Sequence, residues 1–423
     1  MKRSMALTVC TAFLVLLPCP SSAGDAAVLP KGVKTLNIAA TRYFTWNKRF
    51  DKDGHVQDAA SDFNGVLDQQ IFPDLAFFEG PPFNIPGANI GNSVVTFDYD
   101  YSRVDTTFAY GITDKLSIGV KVPYIWYRNT VTARLDTANA NIGKNPAFNP
   151  ALPPGPANPP LIPIAIGGQA LTTDDVQNIL GGGLFINGGL AVPGFGFKRI
   201  QTWERDGFGD IESGLKYQYY KGADWQLAAL GGVLFPTGKV DDPDNLVDKS
   251  LGSGAYALVF RSHNDYTGIR NLVLDVSAHY TLTLPQERDR RIVSDPHQPL
   301  TGRKEKVRTD SGDVLEFEGS ARYRFDDVPS LLGTSAELLY HYTKYFKDTA
   351  KGQGGQRLPS LEEESDGIEQ YVIARLAYST VPLYLKKRFP VPMDASLAYR
   401  NKFAGTNNAF KTQYLQLSLA FYF

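Results

Sequence analysis

Polar and apolar residues alternate with a period of two over short stretches along most of this chain. In residues 211–219, Ile211, Leu215, Tyr217 and Tyr219 take one side while Glu212, Lys216 and Gln218 take the other. Residues 271–284 put Leu272, Leu274, Val276, Ala278, Tyr280, Leu282 and Leu284 on one face, opposite Asp275, Ser277, His279, Thr281 and Thr283. Residues 314–325 set Leu315, Phe317, Ala321, Tyr323 and Phe325 against Glu316, Glu318, Arg322 and Arg324. This is the periodicity of β-strands, whose successive side chains point to opposite faces. The pattern predicts twelve strands, near 33–46, 94–111, 115–133, 209–221, 224–236, 253–267, 270–285, 313–325, 334–346, 368–380, 393–403 and 411–423. Ten or fourteen remain compatible with it. In the second strand the outward, lipid-side face moves from odd positions (Val95, Phe97, Tyr99) to even ones (Val104, Phe108, Tyr110), which predicts a bulge near Ser102.

The connections alternate in length. Those after the first, third, fifth, seventh and ninth strands are long and polar or Pro-rich, near 47–93, 134–208, 237–252, 286–312 and 347–367. Those after the second, fourth, sixth and eighth are short. Residues 380–392 break the rule, as a long turn or a hidden bend. A soluble β-sandwich or propeller would also alternate, but with apolar residues inward, and it would need no export signal.

The first residues carry such a signal. Lys2 and Arg3 precede an apolar run from Met5 to Leu17, then Pro18 and small residues to Ala23, the layout of a secretory signal peptide cleaved near Ala23. Pro18 directly before Cys19 argues against a lipoprotein. Both cysteines, Cys10 and Cys19, fall in the segment to be removed, so the mature chain 24–423 has no disulfide or thiolate chemistry. Losing Lys2 and Arg3 leaves 41 basic against 44 acidic residues, a charge of -3 instead of -1, so no nucleic-acid partner is implied. No later stretch has about twenty consecutive apolar residues, as a membrane helix requires; residues 161–197 come nearest, interrupted by Asp174, Asp175 and Gly-Gly steps. A chain that spans lipid without such helices must close its strands into a barrel. The expectation is an all-β, single-domain transmembrane antiparallel β-barrel in the outer membrane of a Gram-negative bacterium. Its long loops would be extracellular and its short turns periplasmic.

The last strand fits this reading. Leu415, Leu417, Leu419, Phe421 and Phe423 alternate with Gln416, Ser418, Ala420 and Tyr422. Leu419, Phe421 and the terminal Phe423 resemble the signal read by the barrel-assembly machinery. Asp206-Gly207-Phe208-Gly209-Asp210-Ile211-Glu212-Ser213-Gly214-Leu215-Lys216-Tyr217, followed by Phe235-Pro236-Thr237-Gly238, resembles a hairpin of the "putative MetA-pathway of phenol degradation" family. Lys121-Val122-Pro123-Tyr124 is similar to an earlier strand end of that family. The resemblance implies a porin-like outer-membrane protein, often associated with the degradation of aromatic compounds, and not an enzyme.

The inward positions are then polar and of mixed sign: Lys121, Glu212, Lys216, Arg261, His263, Asp275, His279, Glu316, Glu318, Arg322, Arg324, Glu337, His341, Glu369, Arg375 and Arg400. They would line a water-filled pore and set its selectivity, or pair with one another and fill a narrow lumen. A narrow, loop-constricted channel is favoured. Residues 134–208 are the expected constricting loop: Thr172 or Thr173 offers a helix N-cap, Asp174 and Asp175 suit the first turn, and Gly181 ends it. The apolar part, 161–197, would fold into or over the mouth, or form an extracellular cap. Asp51-Lys52-Asp53-Gly54 and Asp241-Asp242-Pro243-Asp244 lack the full calcium-loop spacing and read as solvated acidic turns. No catalytic, cofactor or metal set emerges. The expected partners are membrane lipid and lipopolysaccharide, the assembly machinery and a small-molecule permeant, hydrophobic or aromatic, crossing by passive diffusion. Alternatives are a structural barrel around a periplasmic or surface partner, such as an electron-transfer sheath, and an outer-membrane hydrolase.

Overall fold

The structure, a computed structural model, describes residues 26–293 and 300–423; the predicted signal peptide and cleavage point lie outside them. Twelve strands close on themselves. They are β1 (Lys34–Tyr43), β2 (Asn89–Thr113), β3 (Leu116–Asp136), β4 (Ile211–Lys221), β5 (Trp225–Phe235), β6 (Ala257–Ile269), β7 (Leu272–Thr283), β8 (Val314–Arg324), β9 (Thr334–Tyr345), β10 (Gly367–Ser379), β11 (Met393–Gly405) and β12 (Gln413–Tyr422). Each pairs antiparallel with its sequence neighbours, and β1 pairs with β12 from Thr35↔Tyr422 to Tyr43↔Tyr414. The ring therefore has no free edge, so the backbone is satisfied without water. Among the described residues no helix is long and apolar enough to cross a membrane.

The outer surface is apolar, as lipid demands. Val276, Leu338, Leu376 and Leu417 are more than half exposed, while their neighbours in sequence point in. On β12, Gln416 donates to Thr41 at 2.8 Å and Ser418 to Asn37 at 2.8 Å, which fixes the polar face of that strand inside. Short turns join the strands at one end; in the two-residue turn Arg270-Asn271, Asn271 stands at φ 63°, a left-handed conformation that Asn tolerates. The connection 380–392 is a longer turn carrying the short helix Val381–Leu385.

The expected bulge near Ser102 is absent. Pairing runs unbroken from Lys34↔Tyr110 to Arg42↔Ser102 and from Asn92↔Asp136 to Gly111↔Ser117. Odd positions point inward throughout: Val95, Phe97, Tyr99, Tyr101, Arg103 and Asp105 are all buried. β2 has 25 residues, whereas about ten suffice to cross lipid. The upper part of β2 rises above the membrane, where the outer face meets water and the inner face meets packed loops. The polarity of the faces inverts there while the register does not. Assigning Val95, Phe97 and Tyr99 to the lipid side was therefore wrong.

The two longest connections build an extracellular cap with its own core. Leu67, Phe72, Leu75, Phe78 and Ile90 pack against Ile142, Phe148, Leu171, Ile179 and Leu184. A helix, Thr173–Leu180, sits in this cap with a capping box between Thr172 and Asp175, as the sequence predicts.

Because lipid-side positions are fixed by this register, Val276→Arg should destabilise the barrel by about 2–4 kcal/mol near the midplane. Urea unfolding in phospholipid vesicles measures it; a change within error would contradict the facing.

Candidate functional site: the barrel interior

The lumen is divided into three regions by what its side chains touch. The periplasmic region is open, a cavity of about 1260 Å³. Eight predicted interior residues line it: Lys121, Glu212, Lys216, Arg261, Arg322, Arg324, Glu337 and Arg375. Glu212 lies between Lys121 (2.9 Å) and Arg261 (2.8 Å). Glu337 lies between Arg375 (2.6 Å) and Arg322 (3.3 Å). These contacts join different strands, so each carboxylate ties two cations across the wall. Arg324 is half exposed and sits 3.4 Å from Asp326.

The remaining predicted residues form a buried layer. His341 is fully enclosed and stacks on Tyr371, with ring centres 4.2 Å apart and planes 9° apart. Its Nδ1 is 2.9 Å from Glu318 and its Nε2 2.7 Å from Thr343, with Glu316 3.3 Å away. His279 faces the same two glutamates at 4.0 and 3.8 Å, so the two histidines share one acidic pair although they lie on strands that do not pair. His263 follows, its ring 5.6 Å from that of His279, its Nδ1 3.1 Å from Ser277, whose hydroxyl donates to Asp275. Glu369 pairs with Lys402 at 2.7 Å. Arg400, 1% exposed, lies over the rings of Tyr414, Tyr371 and Tyr43 at 4.6, 4.8 and 5.4 Å, an arrangement stabilised by attraction of the cation to the ring faces. Sequence reading missed Lys402, Asp265, and the Arg103–Asp105 pair. Strand alternation placed all four inward and was available as a signal.

Nor did the sequence show that the segment before β1 enters the barrel. The Ala26 N–H donates to Asp265 at 2.8 Å, Gln218 donates to the Ala26 carbonyl at 3.0 Å, and the Leu29 N–H donates to Ser117 at 2.9 Å. Residues 27–30 line the cavity.

The extracellular region is packed. Tyr43, Trp46, Tyr99, Tyr101, Tyr127 and Tyr414 form one aromatic cluster. Val247 and Leu251 insert into it, and Asn129 donates to the Val247 carbonyl. The segment that enters the lumen is thus 237–252, whereas 134–208 caps the outside. The cause is local. Asp210, 1% exposed, accepts from the N–H of Gly238 (2.9 Å) and from the N–H (2.6 Å) and hydroxyl (2.8 Å) of Ser253, clamping both ends of the segment. A Cβ on Gly238 would stand 2.6 Å from the Gly252 backbone, so the clamp requires glycine. Asp210 and Gly238 belong to the two motifs that carry the family resemblance, and this contact explains their pairing.

The acidic run in that segment does not act as a cation site. Asp241 meets Arg288 (3.0 Å) and Arg290 (3.1 Å), Asp242 meets Lys198 (2.6 Å), and Asp244 meets Arg291 (2.7 Å) and Lys304 (2.8 Å). Instead of being a solvated turn, it is neutralised by Lys198 and by the strands Gln286–Arg291 and Lys304–Asp310. Asp51, Asp53 and His55 do come together, their ligand atoms within 4.8 Å of one another, but Lys52 pairs with Asp53 at 2.7 Å and Asp51 accepts the N–H groups of Asp53 and His55.

Residues 164–361 match the family model described as "Putative MetA-pathway of phenol degradation". That is the family the hairpin resembles, and the match spans both strands of the hairpin and the clamped segment. Among solved structures, the COG4313 outer membrane channel from Pseudomonas putida F1 shares 12% identity, with 95% of this chain and 98% of that chain covered and a TM-score of 0.49. A FadL homologue of Pseudomonas aeruginosa shares 10% over 95% of this chain and 92% of that one, with a TM-score of 0.36. The CymD monoaromatic hydrocarbon channel shares 10% over 93% and 89%, with a TM-score of 0.35. No curated protein sequence matches the chain.

Asp248 gives the inserted segment a pH dependence. Burial pushes its carboxyl up to about 6, against the N–H bond from Asp242 and the attraction of Arg205 at 3.3 Å, and Asp241 and Asp242 add repulsion. A carboxyl with a raised folded pKa contributes stability that is complete below its ordinary value and lost as pH rises through 6. Amides of 240–251 should therefore exchange more slowly at about pH 5 than at about pH 7 after correction for intrinsic rates, and Asp248→Asn should remove the difference. Equal protection at both pH values in the unaltered protein would contradict this.

Proposed function

We propose that the protein is an outer-membrane channel through which small hydrophobic or aromatic molecules diffuse passively, narrowed by residues 237–252. The observation that carries this reading is the combination in one closed barrel of an open periplasmic cavity of about 1260 Å³ and an outer lumen packed with aromatic rings around an inserted segment. Aromatic rings offer flat apolar contact to aromatic permeants without demanding a single pose. The match to a family named for phenol degradation points to the same class. The inserted segment is held at its ends by Asp210 and along its middle by ion pairs of Asp241, Asp242, Asp244 and Asp248, which suits a fixed constriction.

Planar-bilayer recording tests the reading. Deleting 241–248, with Gly238 and Ser253 retained, should raise single-channel conductance about twofold or more, since a constriction dominates pore resistance. Unchanged conductance would place the constriction elsewhere. A silent barrel, with and without the segment, would favour a structural scaffold.

A further inference from the structure

The connection 380–392 joins β10 to β11 at the periplasmic rim, where the lipid-facing wall marked by Leu376 and Leu397 ends. Every residue from Tyr384 to Val391 is exposed. Tyr384, Leu385, Phe389 and Val391 supply apolar surface, and Leu385, at 75%, is the most exposed large hydrophobic side chain among the described residues. Lys386, Lys387 and Arg388 stand in a row between them. Among the described residues none of these three side chains makes a hydrogen bond or an ion pair. The carboxylates of the same rim do not neutralise the run. Asp327 pairs with Arg270, Asp326 with Arg324 at 3.4 Å, and Asp394 accepts from the Tyr422 hydroxyl. The terminal carboxylate of Phe423 forms no ion pair with the run either.

The backbone adds a second observation. The helix Val381–Leu385 is closed by the Lys387 N–H on the Tyr384 carbonyl and the Arg388 N–H on the Leu383 carbonyl, both at 2.8 Å. Lys387 stands at φ 57°, the left-handed position that ends many helices and that glycine takes without strain. A lysine at this point costs conformational energy, and no contact of its side chain within the protein offsets that cost.

We infer that residues 384–391 form a docking surface for the anionic phospholipid headgroups of the inner leaflet, with Lys386, Lys387 and Arg388 on the phosphates and Phe389 in the interface. The headgroup layer lies at the level of this turn because the two strands it joins carry the lipid-facing wall. Consecutive cations beside a bilayer attract acidic lipid, and exposed apolar and aromatic side chains are stable at the boundary between headgroups and acyl chains. Tyr384, Leu385 and Val391 also border the mouth of the periplasmic cavity, so the bound lipid stands beside that opening. The inference rests on the barrel and its rim and does not depend on conduction.

Native mass spectrometry of the refolded full-length barrel in detergent, titrated with phosphatidylglycerol or phosphatidylcholine, tests it. Phosphatidylglycerol should bind about tenfold more tightly. Lys386→Gln, Lys387→Gln and Arg388→Gln together should remove the preference. Lys387→Gly, which relaxes the backbone while deleting the charge, should lower it severalfold, and it decides the matter if the triple variant does not fold. Lys115→Gln combined with Lys221→Gln, at two other short turns of the same rim, should leave the preference in place. Equal affinity for the two lipids overturns the inference. So does an undiminished preference in Lys387→Gly or in the folded triple variant, or an equal loss in the Lys115 and Lys221 double variant.

Discussion

A charge that points into a twelve-stranded barrel enters a space only a few side chains wide. Where that space is filled, it must find its counter-charge on another strand, because an unpaired buried charge costs several kcal/mol. This requirement shapes the interior. Glu212 and Glu337 each bridge two cations, the Glu316–Glu318 pair holds His341 and faces His279, and Arg400 is enclosed by three tyrosines. Pairing consumes most of the charges that alternation directs inward, and the space that is left lies toward the periplasmic end. A lumen that looks like a charged pore in sequence is therefore, in its middle, a cross-linked polar core.

The outer half obeys a different constraint. β2 and β3 outrun the bilayer, and their inner faces become apolar because loops rather than water cover them. The aromatic cluster continues the barrel wall into the extracellular cap. The Asp210 clamp directs 237–252 into this cluster, and the pairing of Asp241 and Asp244 with Arg288, Arg291 and Lys304 neutralises the segment's charges at the surface. A short motif thus determines which loop enters the lumen.

Strand number, facing within the membrane and the helix at 173–180 were legible because each depends on local periodicity and capping. The upper face of β2 was misread for the same reason: alternation reports which residues share a face, and the identity of the medium beyond that face comes from tertiary contacts. The lumen residues were likewise legible one by one, whereas their partners were not, since Lys121 and Glu212 or Glu337 and Arg375 meet only through the closure of the sheet. The inserted loop was assigned by apolar content to 134–208. That apolar surface is in fact consumed by packing against 47–93, and a single buried carboxylate redirects a shorter, more acidic segment inward.

The central claim is the division of the lumen into an open periplasmic cavity and a packed outer half. Single cysteines placed among the described residues, which contain none of their own, test it most directly, with a charged, membrane-impermeant thiol reagent added from the periplasmic side. Ser418→Cys, on the cavity wall, should be modified readily, and Ala398→Cys, 2% exposed, should be protected. Equal modification of both positions would show that the lumen is open throughout and would contradict the account.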